Sequence, residues 1–200
     1  MQWTMTELLN HPEIFKKVRE EIESVVGKDR LVEEADTANL PYLQAIVKET
    51  LRLYPPLPIV PRVCSEDCRI GEHVIPKNTA VLINLYALMR NSQAWDNAEE
   101  FRPERFLVAK NDQIKEVKGL NFNYLPFGVG RRMCPGENLA LTMVSATVAA
   151  LVQCFDFDIV GNKGGEDGRK VNMEVKSEII TNMVHPLYCV PVVHFNPFSS

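Results

Sequence analysis

The strongest constraint on this chain is a ten-residue segment, Phe127–Gly136, that reads F-G-V-G-R-R-M-C-P-G. It places one cysteine, Cys134, in a glycine-rich loop, two residues after Arg132 and just before a long uncharged segment that predicts a helix. A nearby cation and a helix N-terminus both favour an ionised thiolate. The loop therefore predicts a cysteine that binds a metal, whereas a buried structural cysteine would need neither the glycines nor the arginine.

The composition is that of one globular domain or of part of a larger one. Of the 200 residues, 46% are hydrophobic and 24% are charged, and the net charge is −4. Because the chain is acidic and has no basic cluster, nucleic acid is not an expected partner. The five cysteines are an odd number at irregular spacing, which indicates a reducing, cytosol-facing environment rather than a disulfide framework.

Two segments have the position or length of a targeting or membrane sequence. Residues 1–7 lack the basic start and apolar stretch of a signal peptide. Residues 138–155 carry no formal charge over 18 positions, which is long enough for a membrane span. This segment contains Asn138, Ser145 and Gln153 and directly follows the cysteine loop, so we interpret it as a helix buried beneath a cofactor.

The rest of the pattern predicts a mainly helical chain with small β-sheets. Helices are expected to restart at Pro12 and to begin at Pro41, since proline fits the first helical turn, and to end at Gly27 and before Pro55. β-Branched segments predict short strands at 59–63, 67–75, 79–85, 155–160, 171–176 and 187–193. A long connector spans 91–126, and a connector of that length often surrounds a site.

Two further motifs precede the cysteine loop. Glu49 and Arg52 are three residues apart on a predicted helix, which places them on one face and within pairing distance. The segment Phe101–Phe106 reads F-R-P-E-R-F and contains Arg105. Taken singly, a solvated ion pair and an unrelated proline turn would explain these motifs. Their order along the chain, followed by the cysteine loop, argues against that explanation.

In this order the three motifs resemble those of the cytochrome P450 family. The cysteine segment fits its haem-binding loop, F-x-x-G-x-R-x-C-x-G, and the resemblance runs the whole length of the chain. Segments 40–52 and 123–128 resemble plant microsomal members, and segment 119–155 resembles the branch that oxidises flavonoids and related phenolics or terpenoids. The resemblance implies the C-terminal part of the haem-thiolate fold, mainly α with small β-sheets, over one partial domain of residues 1–200.

The resemblance also implies a haem b site. Cys134 would be the axial iron ligand, Arg132 and Arg62 would bind the two propionates, and Phe127 would pack against the ring. The other implied roles are a tight loop for Gly128, Gly130 and Gly136, a buried structural charge network for Glu49, Arg52 and Arg105, and substrate lining for Leu57, Ile59, Val60, Ile180 and Thr181. On spacing alone, Arg62 fits a solvated surface equally well, and the apolar residues fit an ordinary core.

The implied activity is NADPH-driven monooxygenation, in which one oxygen atom from O2 enters a small apolar substrate. The electrons would come from NADPH-cytochrome P450 reductase. The parent enzyme is expected at the endoplasmic reticulum membrane, on its cytosolic face. The acid–threonine motif of the oxygen-activating helix and the membrane anchor have no counterpart in residues 1–200, so the alternative is a truncated, inactive fragment that cannot bind haem alone.

A reading from another class is an interaction module that binds zinc or uses thiols. Cys64 and Cys68 have the spacing of half a zinc site. The four histidines are scattered and supply no second pair of ligands. We therefore favour two packed or surface thiols at these positions.

Overall fold

The computed structural model describes residues 1–107, 122–160, 170–176 and 178–197. Its helices are α1 (Gln2–Asn10), α2 (Pro12–Val26), α3 (Pro41–Leu53), α4 (Leu85–Leu88) and α5 (Glu137–Cys154). Its strands are β1 (Ile59–Val63), β2 (Cys68–Ile70), β3 (His73–Ile75), β4 (Ala80–Asn84), β5 (Phe155–Ile159), β6 (Val175–Lys176), β7 (Asn182–Met183) and β8 (Cys189–Val193). Short 3₁₀ turns are formed by Glu34–Asn39, Pro103–Phe106 and Gly130–Arg132. The predicted class, mainly α with small β-sheets, is confirmed.

The strands form antiparallel pairs. β1 pairs with β4, β2 with β3, β5 with β8 and β6 with β7. In the first pair Arg62 lies opposite Val81. Only the last two residues of the predicted strand 171–176 form one, because the Val171 N–H and carbonyl bind the Asn10 side-chain amide, at 2.7 and 3.1 Å. Part of the predicted connector, residues 108–121, lies outside the described residues.

Proline and glycine set the helix boundaries where the sequence predicts them. Pro12 and Pro41 occupy the first turns of α2 and α3, and Gly27 ends α2 at a φ of +82° that disfavours other residues. On α2 the buried face continues from Ile22 to Val26. Val25 is 39% exposed, because the helical repeat brings the residue four positions after Ile22, and not the one three positions after it, back to the same face.

Helices α1, α2, α3 and α5 enclose the hydrophobic core. Its fully buried side chains include Leu8, Val18, Ile22, Leu43, Ile46, Val148 and Val152. Close packing of these apolar groups away from water is the main favourable contribution to such a fold.

Helix α5 is long and apolar enough to cross a membrane by length and composition, and one third of it is buried in the protein. It also carries Gln153, which is 2% exposed. The Gln153 side chain accepts a hydrogen bond from Val32 N at 2.9 Å and donates one to the Arg30 carbonyl at 3.0 Å. These contacts agree with the interpretation of α5 as a packed helix.

The corner between α1 and α2 contains an ion pair beside the core. His11 Nδ1 lies 2.9 Å from the Glu7 carbonyl oxygen and 3.3 Å from Glu7 Oε2. Glu7 is buried, and its Oε1 accepts a hydrogen bond from the Tyr54 hydroxyl at 2.7 Å. The hydrogen bond to the Glu7 side chain raises the pKa of His11 above its ordinary value. Charged His11 therefore stabilises the junction of α1, α2 and α3.

We expect the free energy of unfolding to depend on pH through His11. Because its pKa is raised in the folded chain, this stabilisation is fully present below the unfolded pKa of about 6.5 and is lost as pH rises through the folded pKa. Urea unfolding at a series of pH values should therefore show wild type and His11→Gln converging as pH rises. His73→Gln, at an exposed position on β3, is the control. Parallel profiles for wild type and His11→Gln would contradict the assignment.

Candidate functional site

The cysteine loop folds back on itself through three backbone hydrogen bonds. Gly128 N donates to Leu125 O, Met133 N to Gly130 O, each at 3.1 Å, and Cys134 N donates to Phe127 O at 2.9 Å. Gly128 and Gly130 have φ values of +78° and +76°, which non-glycine residues rarely adopt. Two glycines are thus required by the backbone that places Cys134 beside Phe127.

The thiol of Cys134 lies at the start of α5 and is exposed. Gly136 caps the helix at a φ of −91°, where other residues are also allowed. A Cβ atom added there would meet Cys134 Sγ at 3.8 Å, an ordinary contact. The conformation therefore requires Gly128 and Gly130 but does not by itself require Gly136.

The two predicted propionate ligands are both exposed. Arg62 lies on β1, and its Nη1 donates to the adjacent Pro61 carbonyl at 2.8 Å. Arg132 ends the 3₁₀ turn in the cysteine loop, and no hydrogen bond or ion pair of its side chain is found within the described ranges. Neither guanidinium is neutralised by a carboxylate there, so both remain able to bind an anionic group.

The two predicted substrate-lining segments meet at the end of α3. The Thr181 hydroxyl donates to the Pro55 carbonyl, and Thr181 N donates to the Pro56 carbonyl at 3.1 Å. These bonds attach the turn at 179–181 to Pro55 and Pro56, which directly precede the segment at 57–60. Leu57, Ile59 and Ile180 are between 46% and 52% exposed, and Val60 is half-buried. Thr181 itself is buried, because its hydroxyl joins the two segments.

Glu49 on α3 lies at the centre of a buried charge network with Arg52 and Arg105. The side chains of Glu49 and Arg52 are fully buried, and that of Arg105 is 6% exposed. Arg52 binds both carboxylate oxygens, with Nε 2.7 Å from Oε2 and Nη2 2.9 Å from Oε1. Arg105 Nε donates to Oε1 at 2.9 Å. The structure thus brings together all three residues predicted for the network.

Backbone carbonyls of the irregular segment 89–102 complete this network. Arg52 Nη1 donates to the carbonyls of Met89, at 2.9 Å, and Ala98, at 2.7 Å. Arg105 Nη1 donates to the Asp96 carbonyl at 2.9 Å, and Arg102 N donates to Glu49 Oε1 at 3.0 Å. Since two positive charges face one carboxylate, the carbonyl dipoles stabilise the second charge. The segment is thereby fixed against α3 without regular secondary structure.

The model of the cytochrome P450 family matches residues 1–177. The chain belongs to this family. It is 49% identical over 196 residues to a 2-hydroxyisoflavanone synthase of Glycyrrhiza echinata, covering 95% of this chain and 37% of that protein. It is 45% identical over 202 residues to a β-amyrin 24-hydroxylase of Glycine max, covering 100% of this chain and 39% of that protein. The chain thus spans less than two fifths of the length of these curated relatives.

Solved structures agree with this assignment. A zebrafish cytochrome P450 solved with abiraterone superimposes with a TM-score of 0.79 and 31% sequence identity. The match covers 97% of this chain and 42% of the zebrafish chain. The predicted resemblance to the P450 family and the predicted partial P450 fold are both confirmed.

The described residues fit the haem that this family implies. The thiol of Cys134 is exposed for a metal, Gly128 and Gly130 form the turn that presents it, and Arg62 and Arg132 offer uncompensated positive charge. A thiolate sulfur can bind haem iron, and guanidinium groups can bind the haem carboxylates. The individual roles of these residues remain predictions.

An aromatic cluster that the sequence did not reveal links the charge network of this P450 to the cysteine loop. The Arg52 and Arg105 guanidiniums lie 5.2 and 5.9 Å from the centre of the Trp95 ring. Trp95 Nε1 donates to the Asn123 carbonyl at 3.3 Å, and the Tyr124 hydroxyl donates to the Lys48 carbonyl at 3.2 Å. Burial raises the pKa of Tyr124, which keeps this hydroxyl a donor. In the sequence, only the hydrophobic character of Trp95 and Tyr124 would have indicated that they are buried.

We expect Glu49→Gln to destabilise the chain by about 3–5 kcal/mol, because it leaves two buried guanidiniums facing a neutral amide. Urea unfolding would measure the loss. Glu20→Gln is the matched control, since Glu20 forms a surface pair with Lys16 in which both side chains are well exposed. The control should change stability by less than about 1 kcal/mol. Equal effects of the two substitutions would show that burial of the network contributes nothing.

Proposed function

We propose that this chain is the haem-thiolate part of a monooxygenase that inserts one oxygen atom from O2 into a small apolar substrate. One observation carries the proposal: an exposed thiol, Cys134, presented on a double-glycine turn at the start of α5. Membership of the P450 family supports it. We propose that residues 1–200 form a partial P450 domain.

The cofactor proposed is haem b. Haem bound through a cysteine thiolate supplies the electron donation that favours cleavage of the O–O bond. Cys134 would hold the iron, Arg132 and Arg62 would bind the propionates, and Phe127 would lie against the ring. Gly128 and Gly130 shape the loop, and Gly136 would complete it beside the sulfur. Glu49, Arg52 and Arg105 would hold the supporting framework and take no part in the chemistry.

The substrate side would be formed by Leu57, Ile59, Val60 and Ile180, with Thr181 holding the two segments together. Their exposed apolar surface suits a ligand with few polar groups. The names of two relatives refer to a 2-hydroxyisoflavanone and to β-amyrin. We infer that the substrate is a plant phenolic, such as a flavonoid, or a terpenoid of secondary metabolism.

The electron donor proposed is NADPH-cytochrome P450 reductase, because this oxygen insertion consumes two electrons that the chain itself does not supply. The whole enzyme would be attached to the endoplasmic reticulum membrane on its cytosolic face. The plant P450 relatives support a membrane-associated parent.

The exposure of Cys134 supports a second proposal, that the isolated chain is inactive. A site open to water loses the exclusion that protects reactive intermediates. Turnover of any substrate by residues 1–200 with reductase and NADPH would refute this second proposal and leave the first intact.

The test of haem-thiolate ligation is the absorbance of the reduced carbon-monoxide complex of the chain expressed with added haem. We expect a red-shifted band in the wild type and in Cys189→Ala, and none in Cys134→Ala, because one thiolate determines the shift. The same red-shifted band in Cys134→Ala would exclude Cys134 as the ligand. If all three proteins lack haem, the chain alone does not bind it, as the inactive-fragment alternative predicts.

Arg131 and Arg132 offer a matched comparison for propionate binding, since both are exposed on the same turn. Loss of a charge-assisted hydrogen bond should cost about 1.5–3 kcal/mol, or roughly 10- to 160-fold in haem affinity. We expect this loss in Arg132→Ala and Arg62→Ala, measured by haem transfer to an apo-globin acceptor, and little change in Arg131→Ala. Equal losses for Arg131→Ala and Arg132→Ala would indicate a general charge effect instead.

A further inference from the structure

Two cysteines outside the candidate haem site lie close enough to react with each other. Cys64 Sγ and Cys68 Sγ are 3.8 Å apart, and both side chains are half-buried free thiols. Within the described ranges, which include all five cysteines, no other sulfur pair makes such a contact. The same ranges contain no group of three residues able to hold a metal ion.

Backbone contacts with one segment of the chain hold both cysteines in place. Cys64 follows β1, where its N–H donates to the Thr79 carbonyl at 3.0 Å and its carbonyl accepts from Asn78 N at 2.8 Å. Cys68 begins β2 and pairs with Ile75 on β3. Both cysteines are thus attached to the same stretch, 75–79, so the fold sets their separation.

We propose that Cys64 and Cys68 form a redox site that a peroxide converts into an intramolecular disulfide. One thiolate attacks a peroxide oxygen, which breaks the O–O bond, forms a sulfenic acid and releases hydroxide. The second sulfur attacks the sulfenic sulfur, forms the S–S bond and expels the oxygen as water. In total, two thiols and one hydrogen peroxide give one disulfide and two waters, and a small thiol reductant reverses the reaction by exchange.

The structure favours this reaction over metal binding. A disulfide bond is about 2.05 Å long, so the sulfurs have to approach by roughly 1.8 Å. A tetrahedral metal would need two more protein ligands or water molecules. Burial, with the neighbouring Cys68 thiol, raises the pKa of Cys64, which favours its protonated form and slows its reaction with low levels of peroxide.

Oxidation would change the end of the strand that carries Arg62. Cys64 lies two residues after Arg62, and a bond to Cys68 would close the turn between β1 and β2 covalently. Disulfides in a reducing compartment are transient and redox-sensing when they occur, which fits an exposed edge of the sheet.

The test is peroxide treatment of the full 200-residue chain, followed by alkylation, trypsin digestion and mass spectrometry. Cleavage after Arg62 and Arg69 releases peptide 63–69, which contains both cysteines and no others. We expect this peptide to lose both alkylation sites together and to regain them after reduction, while the half-buried Cys189 remains labelled. The closing step, from sulfenic acid to disulfide, should be on the order of tenfold faster in the folded chain than in urea, because the fold holds the sulfurs together.

Cysteine variants and a metal chelator distinguish the proposed disulfide from other bonds and from a metal site. Cys64→Ser and Cys68→Ser should each leave a single thiol that forms no disulfide within this peptide, whereas Cys189→Ser should behave as the wild type. Equal rates of the closing step in the folded and urea-unfolded chain would overturn the proposal, as would a bond from either cysteine to Cys134. Protection that requires added zinc and is reversed by a chelator would also overturn it and indicate a metal site.

Discussion

The ion pair between Glu49 and Arg52 is the interaction on which the arrangement of the site depends. A fully buried carboxylate is costly unless it is paired and hydrogen-bonded, and here two arginines and a backbone N–H supply those bonds. The arginines in turn bind carbonyls of the irregular segment 89–102, which has no helix or strand in which to satisfy them. The charge network therefore takes the place of regular secondary structure in this part of the fold. Through Trp95 and Tyr124 it reaches the residues that precede the cysteine loop.

The cysteine loop is supported by the packed core, while its cysteine remains exposed. Behind it, α3 and α5 contribute to a close-packed core, and the loop folds on its own carbonyls through turns at Gly128 and Gly130. The Cys134 and Arg132 side chains of the loop are exposed, and the apolar residues Leu57, Ile59 and Ile180 elsewhere in the chain are about half exposed. This division suits a binding site, because rigid backing fixes the position of the ligand atoms while the exposed face remains accessible.

Helix ends that are marked by proline or glycine could be predicted from the sequence. Elements that depend on contacts with distant parts of the chain could not. Pro12, Pro41 and Gly27 mark helix ends because proline and glycine restrict the backbone at those positions themselves. The strand β7 has two residues, too few to show a pattern. Val171 was predicted to lie in a strand, but its backbone binds the side chain of Asn10 instead.

In the site, the grouping of Glu49, Arg52 and Arg105 followed from the resemblance to a family. Their carbonyl partners Met89 and Ala98 could not be predicted, since any residue can supply a carbonyl. The bond that buries the Thr181 hydroxyl could not be predicted for the same reason, because its acceptor is the Pro55 carbonyl.

The bond between Trp3 and Thr181 has a consequence for how the chain folds. The Trp3 indole N–H donates to the Thr181 carbonyl at 3.0 Å, across 178 positions of sequence, and its ring stacks on Tyr54 at 4.0 Å. Contacts between such distant residues are slow to form, because the chain between them has to be ordered first. During synthesis, this contact of α1 can therefore form only after Thr181 has left the ribosome. Until then the Trp3 indole N–H lacks its acceptor at Thr181, and a partly folded chain that exposes apolar surface is prone to aggregation.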